Sequence, residues 1–200
     1  MNVHHIDSQA VVVSDIDDTL VHSFIYRKIH KIRALMFTTM EKRKPVTNMQ
    51  ALILNFTQGG ATPVYLSNSE QNLYPIIYRF LQHNNFPRGP LFLKQLRSLW
   101  HVILNIKFPI RNIHKTESLE DVIDLFQDKK FVLMGDNTQE DLSIYLSVAE
   151  KYPVNIKIII VRKVVEKRSD LELIHKASEF LKRNDIKLYY AESFPDNFEF

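Results

Sequence analysis

The sequence predicts an α/β protein, a three-layer sandwich with a mainly parallel sheet between two layers of helices. Three observations carry this. Short, β-branched apolar runs alternate along the chain with segments whose apolar residues recur at i, i+3, i+4 and i+7. Apolar runs of that kind belong to strands buried on both faces, which a parallel sheet provides. The chain has 200 residues, 45% of them hydrophobic, with no repeat or low-complexity linker, so a single domain over 1–200 is expected.

In chain order, Ala10–Ser14 reads as a buried strand. Met49, Leu52, Ile53 and Phe56 form the first helical face, ended by Gly59-Gly60. Val64–Leu66 is the second strand, and Leu73, Ile76, Ile77, Phe80 and Leu81 mark the next helix, with Pro75 in its first turn. Leu91–Leu93 is a third strand, followed by a helix carrying Leu96, Leu99, Trp100, Ile103 and Leu104. Leu119, Val122, Ile123 and Phe126 lead into the strand Phe131–Met134; Leu142, Ile144, Tyr145 and Val148 lead into Ile156–Val161. A capping box at Ser169–Glu172 is expected to open the last helix, with Leu171, Ile174, Ala177, Phe180 and Leu181 on its apolar face. Lys187–Tyr190 reads as an edge strand.

Composition excludes several chemistries. Only four glycines are present, 2% against a usual ~7%, and no P-loop, dinucleotide fingerprint or nucleophile elbow can be spelled from them. The absence of cysteine removes disulfides, zinc thiolate sites and a thiol nucleophile. The eight histidines lack H-E-x-x-H spacing. The first ten residues are polar and no run is long enough to span a bilayer, so a cytoplasmic protein is expected, at most peripheral to a membrane.

In parallel α/β folds, ligands bind beyond the carboxyl ends of the strands. The first strand runs into Ser14-Asp15-Ile16-Asp17-Asp18-Thr19, where Asp15 and Asp17 would share a side of the extended chain. Two carboxylates so close need a cation or a shared proton. The second strand ends in Ser67-Asn68-Ser69. The fourth apolar run leads into Gly135-Asp136-Asn137-Thr138-Gln139-Glu140-Asp141, and Lys115 stands just before the helix led by Leu119.

Taken in order, D-x-D-x-T, a strand ending in Ser, a lysine and G-D-x-x-x-x-D resemble the haloacid dehalogenase superfamily of phosphohydrolases, as does the 21-residue step from Lys115 to Asp136. Leu66-Ser67-Asn68-Ser69, Asn72-Leu73-Tyr74-Pro75, Phe86-Pro87-Arg88-Gly89-Pro90 and the 135–141 run followed by Ile144-Tyr145 look more narrowly like the catalytic domain of the actin-patch-associated phosphatidate phosphatases and their bacterial relatives, over roughly Val11 to Arg162. One departure is Glu70, where relatives often carry proline. The resemblance implies a Rossmann-like sheet and an Mg²⁺-dependent phosphomonoesterase working through an aspartyl-phosphate. Asp15 would be the nucleophile and Asp17 the general acid and base; Lys115 would be the charge at the transferring oxygens. Thr19 would fix the acidic loop, and Ser67 and Asn68 would bind the phosphoryl group. Asp15, Asp136 and the carbonyl of Asp17 would hold the metal, and Asp141 would orient Lys115 or metal-bound water. The expected reaction takes phosphatidate to diacylglycerol and phosphate. A phosphatase for a soluble or nucleic-acid-end phosphomonoester, and a non-catalytic lipid-binding module, remain open.

Residues 20–46 are a single insertion, too short for a folded cap domain, and read as a flap. The stretch 24–44 carries seven Lys or Arg and one Glu, +6, against −3 for the rest of the chain. Ile25, Ile29, Ile32, Met36 and Met40 recur at helical spacing between Arg27, Lys28, Lys31 and Arg33, a pattern shared by interfacial helices and by flaps packed on a core. Contact with an anionic membrane through residues 25–44 is one expectation. A nucleic-acid partner is not expected, since no aromatics interleave with the basic residues in an RNA-binding pattern. Residues 163–200 are expected to form a variable C-terminal helix and strand.

Overall fold

A computed structural model of the protein describes residues 9–16, 19–20, 45–94 and 111–194. The strands are β1 (Ala10–Asp15), β2 (Thr62–Glu70), β3 (Leu91–Lys94), β4 (Lys130–Asp136), β5 (Ile156–Arg162) and β6 (Lys187–Ala191). The helices are α1 (Thr47–Gln58), α2 (Tyr74–His83, entered through a 3-10 turn at Gln71–Leu73), α3 (Arg111–Leu125), α4 (Asp141–Lys151) and α5 (Arg168–Arg183). All six strands are parallel, in the order β3-β2-β1-β4-β5-β6. The α/β fold read from the apolar periodicity is the fold observed.

Period-two alternation distributes the core. Val12 of β1 joins Met49, Leu52, Ile53 and Phe56 of α1 and Ile77 and Phe80 of α2 on one side. Val11 and Val13 face the other side with Leu119, Val122 and Ile123 of α3, Tyr145 of α4 and Leu181 of α5. Gly60, at φ +93°, turns the chain out of α1, and the Ala61 N–H donates back to the Phe56 carbonyl at 2.9 Å.

Three local readings change. The second strand extends through Ser67-Asn68-Ser69 to Glu70, with a register shift against β3 between Ser67 and Glu70. Lys115 lies inside α3, more than one turn from its start, rather than ahead of the helix. The capping box is not formed: α5 starts at Arg168 with Lys167 as N-cap and no side-chain cap. Ser169 is thereby already helical, while Glu172 pairs with Arg168 at 3.3 Å. The helix expected around Leu96–Leu104, the flap segment 21–44 and the end of the chain beyond 194 lie outside the described residues. The two residues bracketing the flap do meet: the Val46 N–H donates to the Leu20 carbonyl at 2.9 Å. The insertion therefore leaves and re-enters the fold at one point, five residues after Asp15.

Candidate active site

Parallel register brings the strand ends together. Asp15 pairs with Leu66, which puts Ser67 one residue further along β2, and Ser14 pairs with Met134, which puts Asp136 two residues further along β4. Behind them the strands are mostly apolar, and Asp15, Asp136 and Asp141, the last at the start of α4, occupy buried positions, each 1% exposed. Lys115 arrives from α3 and is also buried.

The Lys115 ammonium lies 2.8 Å from Asp15 Oδ1, as an ion pair rather than an aligned hydrogen bond, and donates to Asp141 Oδ1. Burial works to lower the lysine's pKa, but Asp141 and then Asp15 together outweigh it and hold the group well above its ordinary value. It is a permanent cation at physiological pH. The other oxygen of Asp141, Oδ2, accepts the Asp136 N–H at 3.2 Å. Both Asp141 oxygens are thus engaged by protein donors, which fixes the carboxylate between Lys115 and the Asp136 backbone. Gly135 makes room for it: a Cβ there would stand 2.8 Å from the Asp141 Cβ and closer still to its carboxylate. Tyr145 lies under the lysine, 6.0 Å from ring centroid to Nζ, and its hydroxyl donates to the Met134 carbonyl at 2.9 Å.

Thr19, fully buried, bridges the two strands: its hydroxyl is 3.0 Å from Asp136 Oδ2 and 3.4 Å from Asp15 Oδ2. Asp136 Oδ1 accepts from the Thr138 N–H at 2.6 Å and the Thr138 hydroxyl at 2.5 Å. On β2 the Ser69 N–H donates to Ser67 Oγ at 3.0 Å, and the Asn68 amide donates to Gln139 Oε1 at 3.0 Å, linking the β2 end to the loop after β4. Asp15, Thr19, Ser67, Asn68, Lys115, Asp136 and Asp141 therefore gather at one end of the sheet, while Asp17 lies outside the described residues.

Two buried carboxylates, Asp15 and Asp141, hold the ammonium and a third, Asp136, meets Asp15 at the Thr19 hydroxyl, so the cluster carries excess negative charge on oxygen ligands. That donor chemistry suits Mg²⁺, which takes one or two carboxylates and completes its octahedron with carbonyls, waters and substrate phosphate. Among the described residues no three acidic or histidine side chains meet in metal-holding geometry. The expected set does not require three, because Asp15 and Asp136 would share the ion with a backbone carbonyl and water. Their Oδ2 atoms converge on one hydroxyl, and the residues present fit the ion.

One element went unread in the sequence. Asn137, 1% exposed, uses its amide nitrogen towards the Val165 carbonyl at 2.6 Å, Asp170 Oδ2 at 2.9 Å and the Tyr190 hydroxyl at 2.9 Å. Its oxygen accepts the Val164 and Val165 N–H groups at 2.7 and 3.0 Å. Tyr190 itself donates to Asp170 Oδ2 at 2.8 Å. Burial, with Asp170 as acceptor, raises the Tyr190 pKa and keeps its hydroxyl protonated. The residue next to Asp136 is thereby bolted to α5 and β6. The position of Asn137 directly after a strand-end acid was the available signal; nothing local marked Asp170 or Tyr190.

Comparison with known proteins agrees with this geometry. Residues 10–163 match the family described as phosphatidate phosphatase APP1, catalytic domain. The chain is 28% identical over 155 residues to an uncharacterised protein of Schizosaccharomyces pombe, covering 77% of this chain and 25% of that protein. It is 26% identical over 169 residues to phosphatidate phosphatase APP1 of Saccharomyces cerevisiae, covering 80% of this chain and 27% of that protein. The chain thus spans about a quarter of the length of these relatives. In fold it is similar to a class C acid phosphatase from Bacillus anthracis with tungstate bound, at a TM-score of 0.55 and 10% identity, over 93% of this chain and 68% of that one. With most of its length matched, the chain belongs to the phosphatidate phosphatase APP1 catalytic-domain family.

Proposed function

We propose that this domain hydrolyses phosphatidate to diacylglycerol and phosphate through an aspartyl-phosphate intermediate. The observation that carries this reading is the buried Lys115 held between Asp15 and Asp141 with Asp136 alongside, at the strand ends of a phosphatase-family domain.

A carboxylate oxygen of Asp15 attacks phosphorus; the new P–O bond forms as the bond to the glycerol oxygen breaks. The departing oxygen takes a proton from Asp17, which the motif assigns as general acid, and Asp17 then takes a proton from the water that displaces Asp15. Lys115, pinned by Asp141, supplies a fixed positive charge beside the nucleophile, where charge builds on the transferring oxygens. Ser67 and Asn68 orient the phosphoryl group from the β2 side. Held by Asp15 and Asp136, Mg²⁺ would offset the repulsion between the nucleophilic carboxylate and the substrate phosphate. Thr19 and Thr138 keep the two acids in place.

Among the described residues no helix is long and apolar enough to cross a membrane. A lipid substrate would then be met from the bilayer surface, with residues 25–44 as one point of peripheral contact. Phosphate release from phosphatidate in mixed micelles, measured against a panel of soluble phosphomonoesters with and without Mg²⁺, tests the proposal. Mg²⁺-dependent release from phosphatidate is expected; activity confined to soluble esters overturns the lipid assignment.

A further inference from the structure

On helix α2, Ile77, Phe80 and Leu81 are buried, and Tyr74 and Tyr78 lie along the flank of that buried face. They are 46% and 37% exposed, and their rings stack on each other with centroids 5.8 Å apart and planes within 8°. Spacing of i, i+4 puts them one above the other on the helix. The helix begins four residues after Glu70, so the pair stands at the end of the sheet where Ser67 and Asn68 close the site. Leu125, at the end of α3, and Val154, before β5, are exposed at the opposite end, and Val164 and Leu171 are exposed after β5.

After Glu70 the charge along this stretch of the chain is one-signed. Residues 71–94 contain Arg79, Arg88 and Lys94 and no Asp or Glu. Arg79 is exposed beside Tyr78 on α2, and Arg88 is exposed on the loop to β3. Stacked phenols with an apolar body and a polar tip, in a stretch of chain whose charges from 71 to 94 are all cations, have the composition that settles at the headgroup level of an anionic bilayer.

From this we infer that the α2 edge is a lipid-surface contact: Tyr74 and Tyr78 seat in the interface, with Arg79 and Arg88 towards anionic headgroups, and hold the strand-end site against the bilayer. The inference rests on the phosphatidate reading for its purpose, but its test does not require catalysis. The full chain is sedimented with phosphatidylcholine vesicles, with and without phosphatidylserine. Wild type is expected to follow the phosphatidylserine vesicles, and Tyr74→Ser/Tyr78→Ser to lose about tenfold or more in partitioning. Tyr74→Trp/Tyr78→Trp is expected to restore binding, and Arg79→Glu to weaken it on the anionic vesicles alone. Hydrolysis of p-nitrophenyl phosphate by the serine variant should equal wild type, which also reports an intact fold. Equal vesicle binding by wild type and the serine variant overturns the inference, even if both cleave phosphatidate. Vesicle binding that depends on the tyrosines, in a chain that does not cleave phosphatidate, supports the inference and removes the proposed activity. A serine variant that turns a dimer into monomers with vesicle binding unchanged assigns the pair to a second copy of the chain and also overturns it.

Discussion

The two edges of the sheet are built on opposite plans. At the β6 edge, residues 163–192 carry seven Lys or Arg and six Asp or Glu, and charges of both signs lie side by side. Lys163 meets Glu166 at 2.6 Å, Arg168 meets Glu172 at 3.3 Å, and Asp170 is buried under Tyr190 and Asn137. At the β3 edge, residues 71–94 have three cations and no acid, and a tyrosine pair faces outward. One edge is closed onto the site from behind, and the other presents a surface beside it. The family match ends at residue 163, so Asp170 and Tyr190, which buttress the neighbour of Asp136, come from outside the matched span. A segment outside the matched span can still be wired into the loop after β4, because a hydrogen bond needs one acceptor at one place rather than a motif.

The comparison can be broken most forcefully at the site both edges flank. Asp15→Asn should abolish phosphate release from every ester, read as loss of turnover with the thermal transition retained. Lys115→Ala should also cost about 3–5 kcal/mol in urea unfolding, since it leaves Asp15 and Asp141 buried without their cation. At the closed edge, Asp170→Ala strips the Tyr190 hydroxyl and the Asn137 amide of their shared acceptor. A loss of about 1–3 kcal/mol is expected, with a fall in kcat, and Tyr190→Phe should cost less. At the open edge, Tyr74→Ser/Tyr78→Ser should change stability by no more than about 0.5 kcal/mol, because nothing in the core leans on the pair. A large stability loss there would mean that the edge is a packed surface after all.

The smallest effect concerns pH. The folded-state pKa of Lys115 is raised above its ordinary 10.5, and that of Tyr190 above its ordinary 10.0. In both cases the stability gained is complete below the ordinary value and is lost as pH rises through the folded value. Urea unfolding of wild type and Tyr190→Phe should therefore differ by a constant amount from neutral pH to about pH 9 and converge only in stronger alkali.

Legibility followed the range of the interaction. Asp15 and Asp136 stood out because each follows an apolar run that must be a buried strand, and a carboxylate at such a place needs a partner. Lys115 was legible as a member of an ordered set, yet its helix starts earlier than its apolar face, since the first turn of α3 has no apolar spacing to mark it. The capping box at Ser169 failed because Arg168 and Glu172 pair along the helix and Asp170 is claimed by Tyr190 across it. Asp170 and Tyr190 themselves carried no local sign: Tyr190 reaches Asn137 only because β6 lies beside β5, with Val161 opposite Tyr190.

By itself the sequence determined the alternation of strand and helix, the absence of glycine phosphate loops and thiols, and the acids waiting at the strand ends. These are properties of neighbouring residues, written in periodicity and residue type. Only the tertiary structure decided that Lys115 sits between Asp15 and Asp141, that Asp141 spends its second oxygen on the backbone of Asp136, and that one sheet edge is bolted to the site while the other faces outward. Those outcomes depend on the parallel register and strand order, which join residues far apart in the chain and leave no local trace in it.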